Sequence, residues 1–118
     1  MSYARSIKKL DKLYATLPKL ECKGLCVHSC VDIIGLSGLE RTRLHQINDR
    51  PRQGPVCPML QNCKCLGYEA RPMICRLWGI AKEMPCPHGC VLERVIEKLE
   101  GNRLLAAAEA IGGPHVFL

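Results

Sequence analysis

The sequence predicts a mainly α fold, a small irregular metal-stapled domain built from short helices and cysteine-bearing loops. At 118 residues the chain has room for one domain, and one Phe, one Trp and three Tyr supply little aromatic surface for its core. Nine residues are cysteine, and they lie in clusters between segments whose apolar residues recur at helical spacing. We therefore expect thiolate-bound metal to supplement a modest core.

The predicted domain covers residues 1–118, with a helix at 1–18, a cysteine-cluster core at 22–90 and a helical segment at 91–112. The first helix, from Ser2 to Leu17, is amphipathic, and Pro18 is a natural stop. This pattern favours a packing helix with a solvated basic face over a helix that binds a membrane surface or a nucleic acid. The apolar face is formed by Tyr3, Ile7, Leu10, Tyr14 and Leu17.

A second helix is indicated by Ser37 and Glu40, which have the spacing of a capping box. We expect this helix to run through about Ile47. The stretch from Asn48 to Pro58 is dense in turn-forming residues and is predicted to be an irregular connector.

The last helices are predicted from proline, glycine and apolar spacing. Pro72 suits the first turn of a helix that runs through about Ala81. Apolar spacing over 91–99 predicts another helix, ended or kinked near Gly101, and an Ala-rich continuation over 104–111 stops at a Gly-Gly-Pro sequence. We expect no strand pair.

The cellular compartment decides whether clustered cysteines form disulfides or bind metal. Charged residues interrupt positions 1–23, which excludes a signal-peptide core, and no later stretch approaches the roughly 18 apolar residues of a membrane span. We therefore expect a cytoplasmic protein with no membrane segment and with reduced thiols. Nine is also an odd number, so any intramolecular disulfide scheme leaves one thiol over, and metal ligation is favoured.

The spacing of the cysteines suits tetrahedral metal sites, in which one local segment clamps the ion and distant groups complete the shell. Such thiolate sites favour zinc or iron–sulfur clusters over magnesium, calcium or square-planar copper. Gaps of three residues fit zinc, and Cys-Pro pairs occur in ferredoxin-type runs, so Zn, our first choice, and a 4Fe-4S cluster both stay open. The groups are Cys22, Cys26 and Cys30; Cys57, Cys63, Cys65 and Cys75; and Cys86 and Cys90.

The segment from Cys57 to Arg76 contains a Cys-Pro pair, a Cys three residues before a Tyr, and then Arg-Pro-x-x-Cys-Arg. With these motifs it resembles the YkgJ-like cysteine-cluster family, also called CxxCxxCC, a zinc- or iron-chelating domain. The resemblance covers about Cys22 to Cys90, although the first group here has wider gaps and no adjacent Cys pair. It leaves Cys63 as an extra cysteine and implies eight metal ligands, which are Cys22, Cys26, Cys30, Cys57, Cys65, Cys75, Cys86 and Cys90.

Three residues are further candidates for metal ligation: Cys63, and His28 and His88, which lie inside cysteine groups. With nine cysteines available, the histidines are better interpreted as bystanders or as hydrogen-bond donors to the ligands. The eight implied ligands allow two four-cysteine sites, or one cluster with spare thiols.

The formal charge of +6 invites a nucleic-acid interpretation. A zinc ion held by four thiolates carries a net charge of −2, so two such sites would lower the total to about +2. Much of the basic excess then balances the metal. The best candidates for contact with a nucleic acid or an acidic protein are Arg41, Arg43, Arg50 and Arg52.

We expect a metal-binding protein rather than an enzyme, whose metal staples an interaction surface for a protein or nucleic acid, alone or within a larger assembly. One alternative is an iron–sulfur accessory in redox or methyl-transfer chemistry, because a related cysteine-cluster region occurs in flagellin lysine N-methylases. Another is a thiol redox sensor, in which Cys63 or the pair Cys86 and Cys90 would need exposure and a depressed pKa.

Overall fold

The computed structural model of the chain describes residues 2–21, 35–52, 54, 56–61, 64–84 and 91–117. These residues form four α-helices, one 3-10 turn over Tyr68–Ala70, and three two-stranded antiparallel pairs. The fold is therefore mixed rather than clearly mainly α. The helices are α1 (Tyr3–Tyr14), α2 (Gly38–His45), α3 (Met73–Leu77) and α4 (Lys98–Gly112). The strands are β1 (Leu20–Glu21), β2 (Gly35–Ser37), β3 (Leu60–Gln61), β4 (Lys64–Cys65), β5 (Val91–Leu92) and β6 (His115–Phe117).

Helix α1 confirms the amphipathic prediction and begins where expected. The Ser2 side chain accepts a hydrogen bond from the Arg5 N–H and so caps the first turn. The helix ends at Tyr14, earlier than predicted, because the Thr16 N–H and hydroxyl both donate to the Leu13 carbonyl and close a tighter turn. Among the described residues, no helix is long and apolar enough to cross a membrane.

Helix α2 confirms the predicted capping box at its first turn. The Glu40 N–H donates to the Ser37 hydroxyl at 3.3 Å, and the Ser37 N–H donates to the Glu40 carboxylate at 2.9 Å. The helix ends at His45, and Ile47, predicted to be its last apolar residue, is exposed. In the connector that follows, the described residues form no helix and belong to none of the named strands, as expected.

The prediction of a helix from Pro72 to Ala81 is wrong at its C-terminal end. Pro72 is the N-cap of α3, but the helix stops after Leu77. Gly79 has a φ of +92°, outside the right-handed helical region, and its N–H donates to the Met84 carbonyl at 2.6 Å. The chain therefore turns away just beyond the helix.

The helix predicted over 91–99 is also wrong, because these residues pair with distant segments. Strand β5 pairs with β1, and the Ile96 N–H donates to the Ile80 carbonyl at 2.8 Å. Helix α4 starts only at Lys98 and runs uninterrupted past Gly101. It ends at Gly112, as the Gly-Gly-Pro sequence predicted, with Gly113 at a φ of +94°.

The expectation of no strand pair is wrong as well. Strand β2 pairs with β6 near the end of the chain, and β3 and β4 form a local hairpin. Each strand has only two or three residues, which is too short to show the alternation by which strands are identified from sequence.

The buried residues of the described part of the chain form two clusters. The helical core lies among α1, α3, α4 and the residues Ile80, Ala81 and Ile96, with the partly buried Leu104, Leu105 and Ile111 against it. The cysteine-rich core lies around the β3–β4 hairpin, with the partly buried Cys65, Ile74 and Cys75 against it. The helical core contains Leu10, Tyr14, Met73, Leu77, Ile80, Ala81, Ile96 and Ala108. The cysteine-rich core contains Leu36, Leu44, Cys57, Met59 and Ala70.

Candidate metal centre

Three of the nine cysteines lie in the described part of the chain: Cys57, Cys65 and Cys75. All three belong to the cysteine-rich core or pack against it, although Cys57 and Cys75 are far apart in sequence. The other predicted ligands and candidates lie outside the described residues. These are Cys22, Cys26, Cys30, Cys63, Cys86, Cys90, His28 and His88.

Cys57 is the most enclosed of the three, with 6 % of its surface exposed. It opens a tight turn in which the Leu60 N–H donates to the Cys57 carbonyl at 3.0 Å. The backbone N–H groups of Met59 and Leu60, in the same turn, act on the thiol to lower its pKa.

The surroundings of Cys57 act on its pKa in opposite directions. Burial, the largest influence, raises the pKa of the Cys57 thiol above its ordinary value, and the neighbouring Cys65 raises it further. The two backbone N–H groups and the guanidinium of Arg52 lower it. Burial prevails, so the thiol keeps its proton to higher pH than a free cysteine does.

Cys65 is brought to Cys57 by the short hairpin. Leu60 pairs with Cys65 across β3 and β4, and the Leu66 N–H donates to the Met59 carbonyl at 2.8 Å. These bonds fold the chain back on itself within a few residues of Cys57. The hairpin thus explains why the two thiols are close enough for the charge of one to affect the pKa of the other.

Cys75 comes to the same core from α3. It is partly buried, as is its neighbour Ile74, and both pack against the cysteine-rich core. Met73 and Leu77, on the other side of this short helix, are buried in the helical core. Helix α3 therefore lies between the two cores and presents its cysteine to only one of them.

Thiolates are the donors that zinc and iron–sulfur clusters prefer, so the three described cysteines fit these metals better than magnesium or calcium. Within the described ranges, however, no three Cys, His, Asp or Glu side chains converge into a group that could hold a metal ion. A four-ligand shell would therefore have to include cysteines outside those ranges.

One residue near the site has a role that the sequence did not indicate. Glu40 is 2 % exposed, and its carboxylate accepts three hydrogen bonds. Besides the capping bond from Ser37, it accepts one from the Tyr14 hydroxyl at 2.5 Å and one from the Met73 N–H at 2.6 Å. The capping-box spacing predicted the first bond, but the other two join segments that no local pattern relates.

Tyr14 and Arg76 extend this network from α1 to α3. The Arg76 guanidinium lies 3.8 Å from the centroid of the Tyr14 ring, a cation–π contact. Its Nε donates to the Arg71 carbonyl at 2.6 Å and its Nη2 to the Glu69 carbonyl at 3.0 Å. Burial raises the pKa of Tyr14 and lowers that of Arg76; the Glu40 charge raises the Tyr14 pKa further. Tyr14 therefore remains a protonated donor to Glu40 at neutral pH.

The four arginines predicted to contact a partner have different surroundings. Arg43 forms an ion pair with Asp11 at 2.8 Å, and Arg41 donates to the Phe117 carbonyl at 3.2 Å. Arg52 donates to the Gly54 carbonyl at 3.1 Å and lies near Cys57. Arg50 is exposed. The side chains of Arg41, Arg43 and Arg52 therefore contact other residues of the chain.

No protein-family model matches this chain, and no curated protein or solved structure matches it significantly. The resemblance to the YkgJ-like family, and the ligand set that it implies, stay predictions based on the motif.

Proposed function

We propose that this protein binds metal through cysteine thiolates, zinc in the first place and a 4Fe-4S cluster as the alternative. In this proposal the metal ties the cysteine-bearing loops together into a surface that contacts a protein or a nucleic acid. The observation that supports it best is that Cys57, Cys65 and Cys75, from three different segments, all belong to the cysteine-rich core or pack against it.

This arrangement differs from that of a cysteine used only as a small apolar residue. An apolar role requires burial, but it does not require further thiols at the same core. Thiols from separate segments at one core suit a metal site, because each of them can add a ligand. The positive charge of Arg52 lowers the pKa of the Cys57 thiol, which favours the thiolate that a metal needs.

The metal would have a structural role, because the cysteine-rich core contains few large apolar side chains. Among the described residues of this cluster, Leu36, Leu44 and Met59 are the large buried ones. Metal binding by residues that are dispersed in the unfolded chain adds its free energy to folding. The proposed metal would therefore stabilise the loops that this core packs weakly.

The proposed partner surface is the basic stretch of arginines. Arg50 is the exposed member of the basic stretch, whereas Arg41, Arg43 and Arg52 have contacts within the chain. A contact with a phosphate or a carboxylate would therefore involve Arg50 first.

Elemental analysis of anaerobically purified protein, together with its visible spectrum, tests the proposal. We expect zinc in a colourless sample; iron with labile sulfide in a brown one would select the alternative metal. Protein that contains neither metal and takes up neither after reduction would refute the proposal.

Two variants test the named ligands. Cys57→Ala is expected to reduce the bound metal or its affinity at least tenfold, because it removes a thiolate. Met59→Leu is the matched control, since it changes a buried residue of the same core, conserves volume and leaves every thiol in place. Equal metal binding by both variants would exclude Cys57 from the site.

A further inference from the structure

Helix α3 depends on residues outside itself for its position. It has five residues, and its N-cap, Pro72, offers no side-chain hydrogen bond to the first turn. Short helices are not stable alone, and the first N–H groups of any helix need partners from elsewhere. The Met73 N–H finds its partner in the Glu40 carboxylate, at 2.6 Å.

Glu40 is itself held in place from two other directions. Its second oxygen accepts from the Ser37 N–H at 2.9 Å, which fixes the side chain to the start of α2. The Tyr14 hydroxyl donates to the same oxygen as Met73 does. An almost fully buried carboxylate with three donors has little freedom to move, so it gives α3 a fixed point of attachment.

Cys75 follows Met73 by two residues in this helix. A rise of 1.5 Å per residue places its backbone about 3 Å further along the helix axis. A shift of Met73 would therefore displace Cys75 by a similar distance. A zinc–thiolate bond is about 2.3 Å long, so a displaced Cys75 would bind the metal less well.

We infer that Glu40 is a positioning residue for the metal centre: by holding the Met73 N–H, it sets the position of α3 and of the Cys75 thiolate. The inference rests on the proposed function, because it requires Cys75 to be a ligand. Glu40 does not touch the metal in this scheme, and its effect passes through the helix backbone.

Two substitutions at Glu40 distinguish the effect of its side-chain length from the effect of its charge. Glu40→Asp keeps the charge but is one methylene shorter, so its carboxylate draws back from Met73. Glu40→Gln removes the charge but keeps the length: its carbonyl oxygen can accept from the Met73 N–H when its NH2 group faces the Ser37 N–H, so the capping bond is lost and the attachment of α3 is kept. Ile96→Val serves as the stability control, because it truncates a fully buried side chain of the helical core and removes none of the three hydrogen bonds to Glu40.

The measurement is Co²⁺ binding to the reduced, metal-free full chain, followed by displacement with Zn²⁺. The thiolate-to-cobalt charge-transfer band reports the number of bound thiolates, and thermal unfolding of each variant is recorded in parallel. We expect Glu40→Asp to bind Co²⁺ at least tenfold more weakly and with a smaller charge-transfer band. Glu40→Gln should recover most of the wild-type band, and Ile96→Val should retain all of it at a comparable loss of thermal stability.

The outcomes distinguish the inference from the proposal on which it rests. Wild-type protein that binds neither Co²⁺ nor Zn²⁺ overturns both. Tight binding by the wild type with an unchanged band in Glu40→Asp overturns the positioning role alone. Equal weakening by Glu40→Asp and Ile96→Val also overturns it, because the effect would then follow stability rather than the position of Cys75. If Glu40→Asp does not fold, Glu40→Gln provides the test. A charge-transfer band in that variant with the intensity expected for one thiolate fewer would overturn the positioning role.

Discussion

The helical core and the cysteine-rich core are built by different means, although α3 contributes to both. The helical core joins residues from α1, α3 and α4 with Ile80, Ala81 and Ile96. Leu10, Met73 and Ile96 are completely buried in it. The cysteine-rich core surrounds a hairpin whose strands have two residues each. Its buried residues include Leu44, Met59 and Cys57. One region is stabilised by apolar packing, and on the proposed function the other takes part of its stability from bound metal.

The first prediction concerns the helical core and carries the largest expected effect. Leu10→Ala should lower the free energy of unfolding by about 2–5 kcal/mol, because it leaves a cavity at a fully buried position. The loss should be the same with and without metal. Denaturant unfolding in the presence and absence of a chelator measures both values.

The matched control for this prediction is Leu99→Ala, which removes the same atoms from a side chain that is 63 % exposed. Its effect should stay within about 0.5 kcal/mol. A loss from Leu10→Ala that disappears once metal is removed would show that the two cores are not independent.

The second prediction concerns metal removal, which should loosen the cysteine-rich core and spare the helical core. On the proposed function, a metal present at a hundred times its Kd adds about 2.7 kcal/mol to folding stability. Two amides with equal hydrogen-bond lengths of 2.8 Å compare the regions: Leu66, bonded to the Met59 carbonyl, and Ile96, bonded to the Ile80 carbonyl.

Hydrogen exchange at these two amides gives the readout. Chelation should accelerate exchange at Leu66 and leave Ile96 nearly unchanged. Equal acceleration at both amides would mean that the metal stabilises the whole molecule. No acceleration at either amide, in protein shown to lose its metal, would contradict a structural role for the metal.

A third prediction compares two glycines whose substitution by alanine should change the free energy of unfolding in opposite directions. At Gly67, a Cβ atom would lie 2.6 Å from Cδ2 of the buried Leu44, so Gly67→Ala should destabilise by about 1–3 kcal/mol. At Gly101, inside α4, a Cβ atom would meet Ile96 Cγ2 at 3.7 Å, an ordinary contact. Gly101→Ala should therefore stabilise by about 0.5–1 kcal/mol through helix propensity.

Thermal unfolding of both variants measures the two signs. A neutral result for Gly67→Ala would show that the cysteine-rich core adapts by moving Leu44, as a loosely packed region can. A destabilising result for Gly101→Ala would show instead that the contact between α4 and Ile96 is tighter than ordinary packing.

Features set by neighbouring residues could be predicted from the sequence, whereas features set by distant ones could not. Ser2 and Ser37 identify the starts of α1 and α2, because a cap acts within one helical turn. The 91–97 segment has apolar residues at helical spacing, but its conformation is determined by β1 and Ile80, which lie far away in sequence. In such a segment, tertiary pairing overrides the local helix propensity.

The same distinction applies to the candidate metal centre. The hairpin that brings Cys65 toward Cys57 joins residues close in sequence, although the spacing of the cysteines left open which of them share a site. The attachment of Glu40 to Tyr14 and Met73 joins residues 26 and 33 positions apart, and no spacing rule relates them. A capping box alone accounts for a glutamate at position 40, so the local sequence does not indicate the two long-range bonds.

The fourth prediction, with the smallest effect, decides which basic residues stabilise the fold. Asp11 and Arg43 pair at 2.8 Å between α1 and α2, but the Asp11 side chain is half exposed. Asp11→Asn should therefore cost about 0.2–1 kcal/mol, and the cost should shrink at high salt. A double-mutant cycle with Arg43→Gln isolates the pair, and Arg50→Gln, at an exposed position, should leave stability unchanged. If Arg50→Gln destabilised as much as Asp11→Asn, Arg50 would belong to the fold, and the proposed partner surface would lose its best candidate.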